Sequence, residues 1–189
     1  MVYIDNDICS FNLDEALAKI SEQRREQALR FSHEEGRRQC VAAYLLLMHA
    51  LKTEHGITEN VEFGYAEGGK PYIKGHETIH FNLSHCRSAV ACAIDNKPIG
   101  IDIEAVRPFK ESLARHVLSQ SEYEKVATSS DPAYEFTRLW TMKESLLKLT
   151  GLGLRTELKT LLTRSDGIVH TTFNVPSSRL ICTVCQSAR

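Results

Sequence analysis

The sequence lacks several features that define whole classes of proteins. No apolar run is long enough to cross a bilayer; the longest extends from Val41 to Met48. The first residues, MVYIDNDICSFNLDE, contain neither the basic segment nor the apolar core of a secretory signal, and no lipidation signature is present. We therefore expect a cytoplasmic protein that does not enter a membrane.

Charge of one sign is also lacking. The formal net charge of the 189 residues is −1, so the chain has no overall basic field of the kind that nucleic-acid-binding proteins usually carry. The hydrophobic content of 42% and the charged content of 25% are ordinary for a soluble globular protein. We expect no nucleic-acid partner, and enough chain for one large domain or two small lobes.

The fingerprints of several enzyme classes are missing as well. There is no G-x-S-x-G elbow, no P-loop and no G-x-G-x-x-G motif. The six cysteines lack the spacing of a disulfide framework, and the C-x-x-C pair of Cys182 and Cys185 has no second pair or suitably spaced histidines to complete a zinc site. These absences argue against a serine hydrolase, the common nucleotide-binding folds and a zinc protein.

Helical patterns come first along the chain, and strand patterns follow them. Residues 13–31 predict helical structure that Ser21 could divide in two, and a capping box at Ser32 predicts a further helix up to His55, ended by Gly56. From residue 61 short alternating segments predict strands, namely VEFGY, HFNLS, AVACAI and IGIDIE. The segment EGGKPYI is interpreted as a turn, and DNKP as a hairpin turn between the last two strands.

Helical signals return after Glu104. We expect helices over residues 110–118 and 120–127, the second with a capping box at Ser119, and a third from Pro132 to Gly151. Strand patterns follow in GIVHTTF and RLICTVC. The order helices, strands, helices, strands predicts an α+β fold with mainly antiparallel sheets, and it suggests two similar lobes.

The strand IGIDIE carries two carboxylates close together. Asp102 and Glu104 are two residues apart, so their side chains share one face, while Ile101 and Ile103 take the other. Neighbouring carboxylates repel each other, and a divalent cation such as Mg²⁺ would offset that repulsion. An exposed edge strand, whose charges discourage aggregation, explains the pattern equally well. From this motif alone both interpretations stay open.

The helix motif WTMKESLLKLTG adds a third carboxylate and a cation. Trp140, Glu144 and Lys148 recur every fourth residue and therefore share one helix face. Glu144 could complete a metal site or act as a base, and Lys148 could neutralise a phosphate. A surface ion pair between them is the simpler explanation for an isolated helix, although a wholly exposed face rarely carries a tryptophan.

Three further residues are candidates for contacts with a phosphorylated ligand. Ser84 and His85 come at the end of the strand in FNLSHC, where both could hydrogen-bond a phosphate. Lys70 follows two glycines in the turn GGKP, which is a mild signal for a nucleotide contact. A lone histidine is more often a structural residue, so these three positions predict a ligand contact only in combination with the other motifs.

Four motifs together resemble a known family. GKPYI, FNLSH, IGIDIE and WTMKESLLKLTGLGL, in this order and at about this spacing, are similar to the motifs of the Sfp-type 4′-phosphopantetheinyl transferases, over the range from about Ser21 to Leu154. The resemblance implies two similar α+β lobes with a pseudo-twofold relation, residues 1–100 and 101–189, and coenzyme A in the cleft between them. Because one chain supplies both lobes, we expect a monomer.

The resemblance also implies a reaction. The 4′-phosphopantetheine arm of coenzyme A would move to a serine hydroxyl of an acyl or peptidyl carrier protein, with release of adenosine 3′,5′-bisphosphate. By resemblance, Asp102, Glu104 and Glu144 hold Mg²⁺, with Mn²⁺ as an alternative. Glu144, directly or through a metal-bound water, would take the proton from the serine, and Lys148 would stabilise the departing phosphate. Two alternatives remain: a Mg²⁺-dependent hydrolase of a nucleotide phosphoanhydride, and an inactive module that only binds coenzyme A or a carrier.

Contacts to coenzyme A and to the carrier are implied in the same way. Arg24 falls on a basic position of the family's 3′-phosphate pocket, whereas Gln27 replaces a second residue that is often basic, for which Arg37 or Arg38 could compensate. Arg107 and Phe109 lie where relatives meet the carrier, although a surface turn with one buried aromatic explains them as well. The residues expected to bind coenzyme A are Arg24, Arg38, Lys70, Pro71, Ser84, His85 and Lys148.

Overall fold

Helices and antiparallel strands alternate in the computed structural model, which describes residues 1–151, 157–176 and 178–188. The first half contains β1 (Val2–Asp5), α1 (Leu13–Lys19), α2 (Glu22–Leu29), α3 (Glu34–His55), β2 (Phe63–Tyr65), β3 (Pro71–Ile73), β4 (His80–His85) and β5 (Val90–Asp95). The second half contains β6 (Ile99–Ala105), α4 (Glu111–Val117), α5 (Gln120–Ala127), α6 (Pro132–Thr150), two short 3₁₀ helices (Leu158–Thr160 and Leu162–Arg164), β7 (Ile168–Val175) and β8 (Leu180–Ser187). The predicted α+β class with antiparallel sheets is confirmed.

The two halves of the chain repeat one topology. In the first half a strand, three helices and the hairpin β4–β5 form a sheet in the order β1-β5-β4, and the separate hairpin β2–β3 is inserted before β4. In the second half a strand, three helices and the hairpin β7–β8 form a sheet in the corresponding order β6-β8-β7. Apolar residues of α3 cover the outer face of the first sheet, and those of α6 cover the second. This repeat supports the expectation of two similar lobes, and the pseudo-twofold relation between them stays a prediction. The division at residue 100 stays a prediction, and it would pass through β6.

An apolar layer joins the inner faces of the two sheets. Ala91 and Ala93 of β5 lie in one cluster with Ile101 and Ile103 of β6, and all four are fully buried. Complete burial of an isoleucine side chain stabilises the folded state by roughly 1.5–3 kcal/mol. Because successive strand residues face opposite sides, the inward isoleucines direct the side chain of Asp102 outward, toward α6.

Polar side chains of β4 complete the free edge of β6. The backbone N–H of Ile101 donates to Asn82 Oδ1 at 2.8 Å, and that of Ile103 donates to Ser84 Oγ at 3.3 Å. These bonds matter because a buried N–H without a partner costs about 1–3 kcal/mol. The edge is therefore covered, and Asp102 is only 4% exposed. The alternative of an exposed, aggregation-resistant edge strand is wrong.

Several other expectations concern the ends of elements. Ser21, Ser119 and Asp131 cap helices as predicted, and Gly56 and Gly151 end them in the left-handed conformation. The capping box at Ser32 does not form, since His33 takes the N-cap position of α3 without a side-chain hydrogen bond. Residues 152–154 of the fourth motif lie outside the described residues.

Two strand expectations need correction. DNKP is not a hairpin turn, because β5 already pairs on both edges with β1 and β4 and β6 leaves for the other sheet. EGGKPYI contains the strand β3 as well as a turn. Ser84 and His85 lie at the end of β4, as expected. Within the described ranges, none of the helices combines the length and the hydropathy that a membrane span requires.

Candidate active site

The approach of α6 to β6 depends on a glycine. A Cβ atom at Gly100 would lie 2.0 Å from the carbonyl oxygen of Ser145, which is a main-chain atom of α6 and has no freedom to turn away. The absence of a side chain at this position lets the helix lie directly on the strand. As a result, Glu144 and Lys148 on α6 come close to the outward face of β6, which carries Asp102.

Three polar side chains form a closed hydrogen-bonded cluster at this contact. The Lys148 ammonium donates to Asp102 Oδ1 at 2.7 Å and to Ser84 Oγ at 2.8 Å, and the Ser84 hydroxyl donates to Asp102 Oδ1 at 2.8 Å. Among the described residues, no ion pair joins Glu144 to Lys148. The surface pair considered from the sequence is therefore wrong, because the buried carboxylate on β6 is the partner of the lysine.

The second carboxylate oxygen of Asp102 has no protein partner. Asp102 Oδ2 is buried and accepts no hydrogen bond from the described residues. Oxygen ligands of this kind suit Mg²⁺, which commonly takes one or two carboxylates and completes its shell with phosphate oxygens and water. In the ranges that the structure describes, no group of three or more His, Cys, Asp or Glu side chains is arranged to hold a metal ion. The donor chemistry thus fits a cation bound together with a substrate, rather than one held by a preformed protein cage.

The two glutamates of the site respond to the charge of Asp102. Burial raises the pKa of Glu104 from 4.5 to about 7, and the negative charge of Asp102 adds to the rise while Arg107 opposes it. Burial and Asp102 also raise the pKa of Glu144, whereas Lys148 lowers it. Both glutamates therefore interact electrostatically with Asp102, and the raised pKa makes Glu144 a better proton acceptor than an exposed glutamate.

A cavity of about 230 Å³ opens beside Glu144 and Lys148. The GGKP turn forms its opposite wall and contributes Lys70 and Pro71, so the structure brings these four predicted residues together. The Lys70 ammonium, however, donates to the main-chain carbonyls of Ile99 and Leu149, both at 3.0 Å. Burial lowers the pKa of Lys70. We call this space the lysine cavity.

The remaining residues expected to bind coenzyme A are more scattered. His85 lines a second cavity of about 390 Å³, and burial, Lys148 and Arg24 all lower its pKa. The guanidinium of Arg24 donates to the carbonyl of Cys40 and to Gln27 Oε1.

Arg38 has contacts of a different kind. Its guanidinium donates to Glu34 Oε1 at 2.8 Å and to the carbonyl oxygen of Phe11 at 2.9 Å. Arg38 therefore lines neither the lysine cavity nor the cavity of His85 in the described part of the chain.

A third cavity, of about 270 Å³, lies beside Glu104. Its apolar side includes Trp140, and Arg107 at its rim also reaches the cavity of His85. The ring of Phe109 packs edge-on against Phe136, with 6.0 Å between the ring centroids. The other lining residues are Ala105, Pro108, Lys110, Leu113, Phe136 and Thr137. We call this space the tryptophan cavity.

A buried ion pair that the sequence did not suggest supports α6 from behind. Lys143 is fully buried and pairs with Glu122 Oε2 at 2.9 Å, and its ammonium also donates to the carbonyl of Leu158 at 2.7 Å. Glu122 belongs to the capping box predicted at Ser119, and that pattern gives no sign of the ion pair. Neighbouring residues on a helix point in different directions, so Lys143 does not share the face of Glu144. This is the one feature of the sequence that indicates an inward position for Lys143.

A buried chain of threonine hydroxyls was also missed. Thr141 of α6 and Thr183 of β8 are both completely buried, and their Oγ1 atoms lie 2.7 Å apart. Thr172 of β7 continues the chain, with 2.8 Å between its Oγ1 and that of Thr183. Thr183 is the cross-strand neighbour of Asp102, so the chain reaches the base of the site. Threonines in strand patterns give no sequence signal of such a contact.

Comparisons with known proteins agree over most of the chain. A family model described as the 4′-phosphopantetheinyl transferase superfamily matches residues 98–183, and one described as 4′-phosphopantetheinyl transferase, N-terminal, matches residues 9–97. A curated 4′-phosphopantetheinyl transferase of Bacillus subtilis is 34% identical over 184 residues, which cover 96% of this chain and 82% of the relative. The transferase Sfp of Bacillus subtilis strain 168 is 30% identical over the same shares of both chains. The transferase HetI of Nostoc is 34% identical over 75% of this chain and 64% of its own length.

Proposed function

The chain belongs to the 4′-phosphopantetheinyl transferase superfamily, and we propose that it transfers the phosphopantetheine arm of coenzyme A to a serine hydroxyl of an acyl or peptidyl carrier protein. The observation that carries this proposal is the Ser84–Asp102–Lys148 cluster beside Glu144, at the wall of the lysine cavity. The serine oxygen would bond to the phosphorus that carries the pantetheine arm. The bond from this phosphorus to the bridging oxygen breaks, and adenosine 3′,5′-bisphosphate leaves.

Glu144 and Lys148 divide the proton and charge changes of this step. Glu144 takes the proton of the attacking serine, and its raised pKa supports that role because a base with a pKa nearer neutrality accepts a proton more readily. The ammonium of Lys148 stabilises the negative charge that develops on the departing phosphate. Both groups lie on one face of α6, whose position is set by Gly100 and by the Lys143–Glu122 pair.

A divalent cation fits the carboxylates of the site. Asp102, Glu104 and Glu144 would hold Mg²⁺, or Mn²⁺, and the unpartnered Asp102 Oδ2 supports this assignment. When bound, the cation supplies positive charge that offsets the charge of the pyrophosphate. Without it, three interacting carboxylates would repel an anionic substrate.

The two outer cavities accommodate the ends of the substrates in this proposal. Arg24 and His85 would bind the 3′-phosphate, because His85 lines the second cavity and the positive charge of Arg24 is close enough to lower the pKa of His85. The carrier would contact the tryptophan cavity, where Arg107 offers a positive charge to acidic carrier residues and the packed ring of Phe109 shapes the adjoining apolar wall.

Carrier labelling tests the proposal directly. The protein would be incubated with coenzyme A, Mg²⁺ and several apo carrier proteins, and the carrier mass followed by mass spectrometry. We expect a gain of one phosphopantetheine moiety, and a rate lower by roughly 10²–10⁴-fold for Glu144→Gln, because it removes the base. Coenzyme A breakdown without labelling would instead support a hydrolase, and binding without any reaction would support an inactive module.

A further inference from the structure

Lys148 has two competing anionic partners in the proposed reaction. Its ammonium is bonded to Asp102 Oδ1 and to Ser84 Oγ, at 2.7 and 2.8 Å. The same side chain lines the lysine cavity, where the pyrophosphate of coenzyme A would lie. One ammonium could neutralise both Asp102 and a departing phosphate only if the phosphate lay close to the carboxylate. The repulsion between these two negative charges opposes that arrangement.

The two members of the ion pair differ in their freedom to move. The side chain of Lys148 is 28% exposed, whereas that of Asp102 is 5% exposed. Lysine carries its charge on a flexible four-carbon stem. Asp102 instead projects from a central position of β6 and accepts the hydroxyl of Ser84, which is itself held by the backbone N–H of Ile103. The ammonium can therefore leave the pair, and the carboxylate cannot follow it.

Departure of the ammonium would leave a buried and poorly compensated anion. Asp102 Oδ1 would keep only the Ser84 hydroxyl, and Oδ2 already lacks a partner. A buried carboxylate without a counter-charge is strongly unfavourable. A divalent cation is the species that would restore neutrality, since it can also interact with Glu104 and Glu144.

We propose that Lys148 is a resident counter-ion of this site, which neutralises Asp102 in the ligand-free protein and releases it to a divalent cation when the pyrophosphate of coenzyme A attracts the ammonium. This inference rests on the proposed function. It makes the binding of the cation and of coenzyme A cooperative, and by linkage each ligand must tighten the binding of the other by the same factor.

Mn²⁺ binding to the full chain, followed by electron paramagnetic resonance without a carrier, tests the inference. We expect weak binding to the wild type without coenzyme A. Lys148→Met should bind Mn²⁺ roughly tenfold more tightly under the same conditions, a change within the usual range of coupling between sites. Coenzyme A should tighten Mn²⁺ binding less in Lys148→Met than in the wild type.

Controls separate the loss of this ion pair from a general loss of charge. Lys110→Met removes a lysine from the tryptophan cavity but frees no carboxylate, so its Mn²⁺ affinity should stay close to that of the wild type. Lys148→Gln gives a second replacement without charge, and circular dichroism checks the fold of each variant. Asp102→Asn combined with Lys148→Met should lose the tight Mn²⁺ site.

Three outcomes would overturn the inference. The first is that both Lys148 variants bind Mn²⁺ no more tightly than the wild type. The second is that the Mn²⁺ affinity of Lys110→Met increases as much as that of Lys148→Met. The third is that the double variant keeps the tight Mn²⁺ site. Carrier labelling is measured separately. If the wild type labels a carrier but the Lys148 variants gain no Mn²⁺ affinity, only the counter-ion inference is rejected. If the Lys148 variants bind Mn²⁺ more tightly but the wild type labels no carrier, the proposed transferase activity is rejected.

Discussion

At the scale of single residues, Glu104 shows how burial and a neighbouring charge change the pKa of a carboxyl group. It shares the outward face of β6 with Asp102, and both groups are removed from most of the surrounding water. Two neighbouring carboxylates cannot both ionise without a cost. The pKa of Glu104 is accordingly raised to about 7, so near neutral pH this residue is partly protonated in the metal-free protein.

Replacement of Glu104 should change how stability depends on pH. The folded-state pKa of about 7 exceeds the unfolded value of 4.5, so the folded state binds more protons between these pH values. The contribution of Glu104 to stability is therefore fully present below the unfolded pKa and is lost as the pH rises through about 7. In thermal unfolding with a chelator, the melting temperature of Glu104→Gln relative to the wild type should increase from pH 5 to pH 8.

Added Mg²⁺ provides the control for this prediction. A bound cation would favour the ionised carboxylate, so the advantage of Glu104→Gln at pH 8 should shrink or reverse in excess Mg²⁺. A difference in melting temperature that stays constant across the pH range would show that Glu104 does not titrate in this interval.

At the scale of secondary-structure elements, the direction of the threonine chain is fixed. The hydroxyl of Thr141 donates its only proton to the carbonyl of Arg138, at 2.9 Å. Thr183 must therefore donate to Thr141, and Thr172 must donate to Thr183. Thr183 has no proton left for Asp102, which agrees with the unpartnered Oδ2 of that residue. The chain joins α6 to β8 and β7 and so helps to set the height of the helix over the site.

Two valine substitutions distinguish the members of this chain. Thr183→Val keeps the shape of the side chain but leaves Thr172 without its acceptor and removes the donor to Thr141, so we expect a loss of about 1–3 kcal/mol in the free energy of unfolding. Thr172→Val keeps the inner hydrogen bond and should cost less, about 0.5–1.5 kcal/mol. Urea unfolding of both variants measures the difference.

Activity gives an independent check on the same variants. Because the chain holds α6 in place, Thr183→Val should also lower kcat with little change in the KM for coenzyme A, and Thr183→Ser should restore kcat. If Thr172→Val were as damaging as Thr183→Val, the central role of Thr183 would be wrong.

At the scale of the whole molecule, a short hairpin from the first half holds the second half in position. The Lys70 ammonium, at the tip of β2–β3, bonds to carbonyls at the start of β6 and near the end of α6. At the same tip, a Cβ atom on Gly68 would lie 2.5 Å from the carbonyl oxygen of Gly151. The hairpin therefore fits against the two elements that carry Asp102 and Lys148.

Lys70 should act mainly by holding these elements rather than by binding coenzyme A. Lys70→Met removes the donors to two main-chain carbonyls, so it should lower the urea midpoint of unfolding and reduce kcat more than it raises the KM for coenzyme A. Lys74→Met on the same hairpin loses only an exposed ion pair with Glu62 and should have almost no effect. A raised KM with unchanged stability would show that Lys70 is a ligand for coenzyme A after all.

Local signals in the sequence predicted most elements, whereas the contacts between them followed other rules. The capping residue at Asp131 and the alternation in IGIDIE depend on neighbouring residues, and the structure confirms both. The observed partner of Lys148 could not be found locally, because the i,i+4 rule offers only Glu144 as an alternative, whereas Asp102 lies 46 residues away in sequence. The hairpin predicted at DNKP was wrong for a similar reason. β5 pairs with β1 and β4 on its two edges, so it cannot pair with β6, and the local sequence does not indicate these partners.

The repeated topology lies within one chain, so its two halves need not stay alike. A substitution alters one half only, whereas in a dimer of identical chains it would appear in both copies of a site. Ser84 of the first half and Asp102 with Lys148 of the second can therefore serve one site without matching residues at the corresponding positions of the other half.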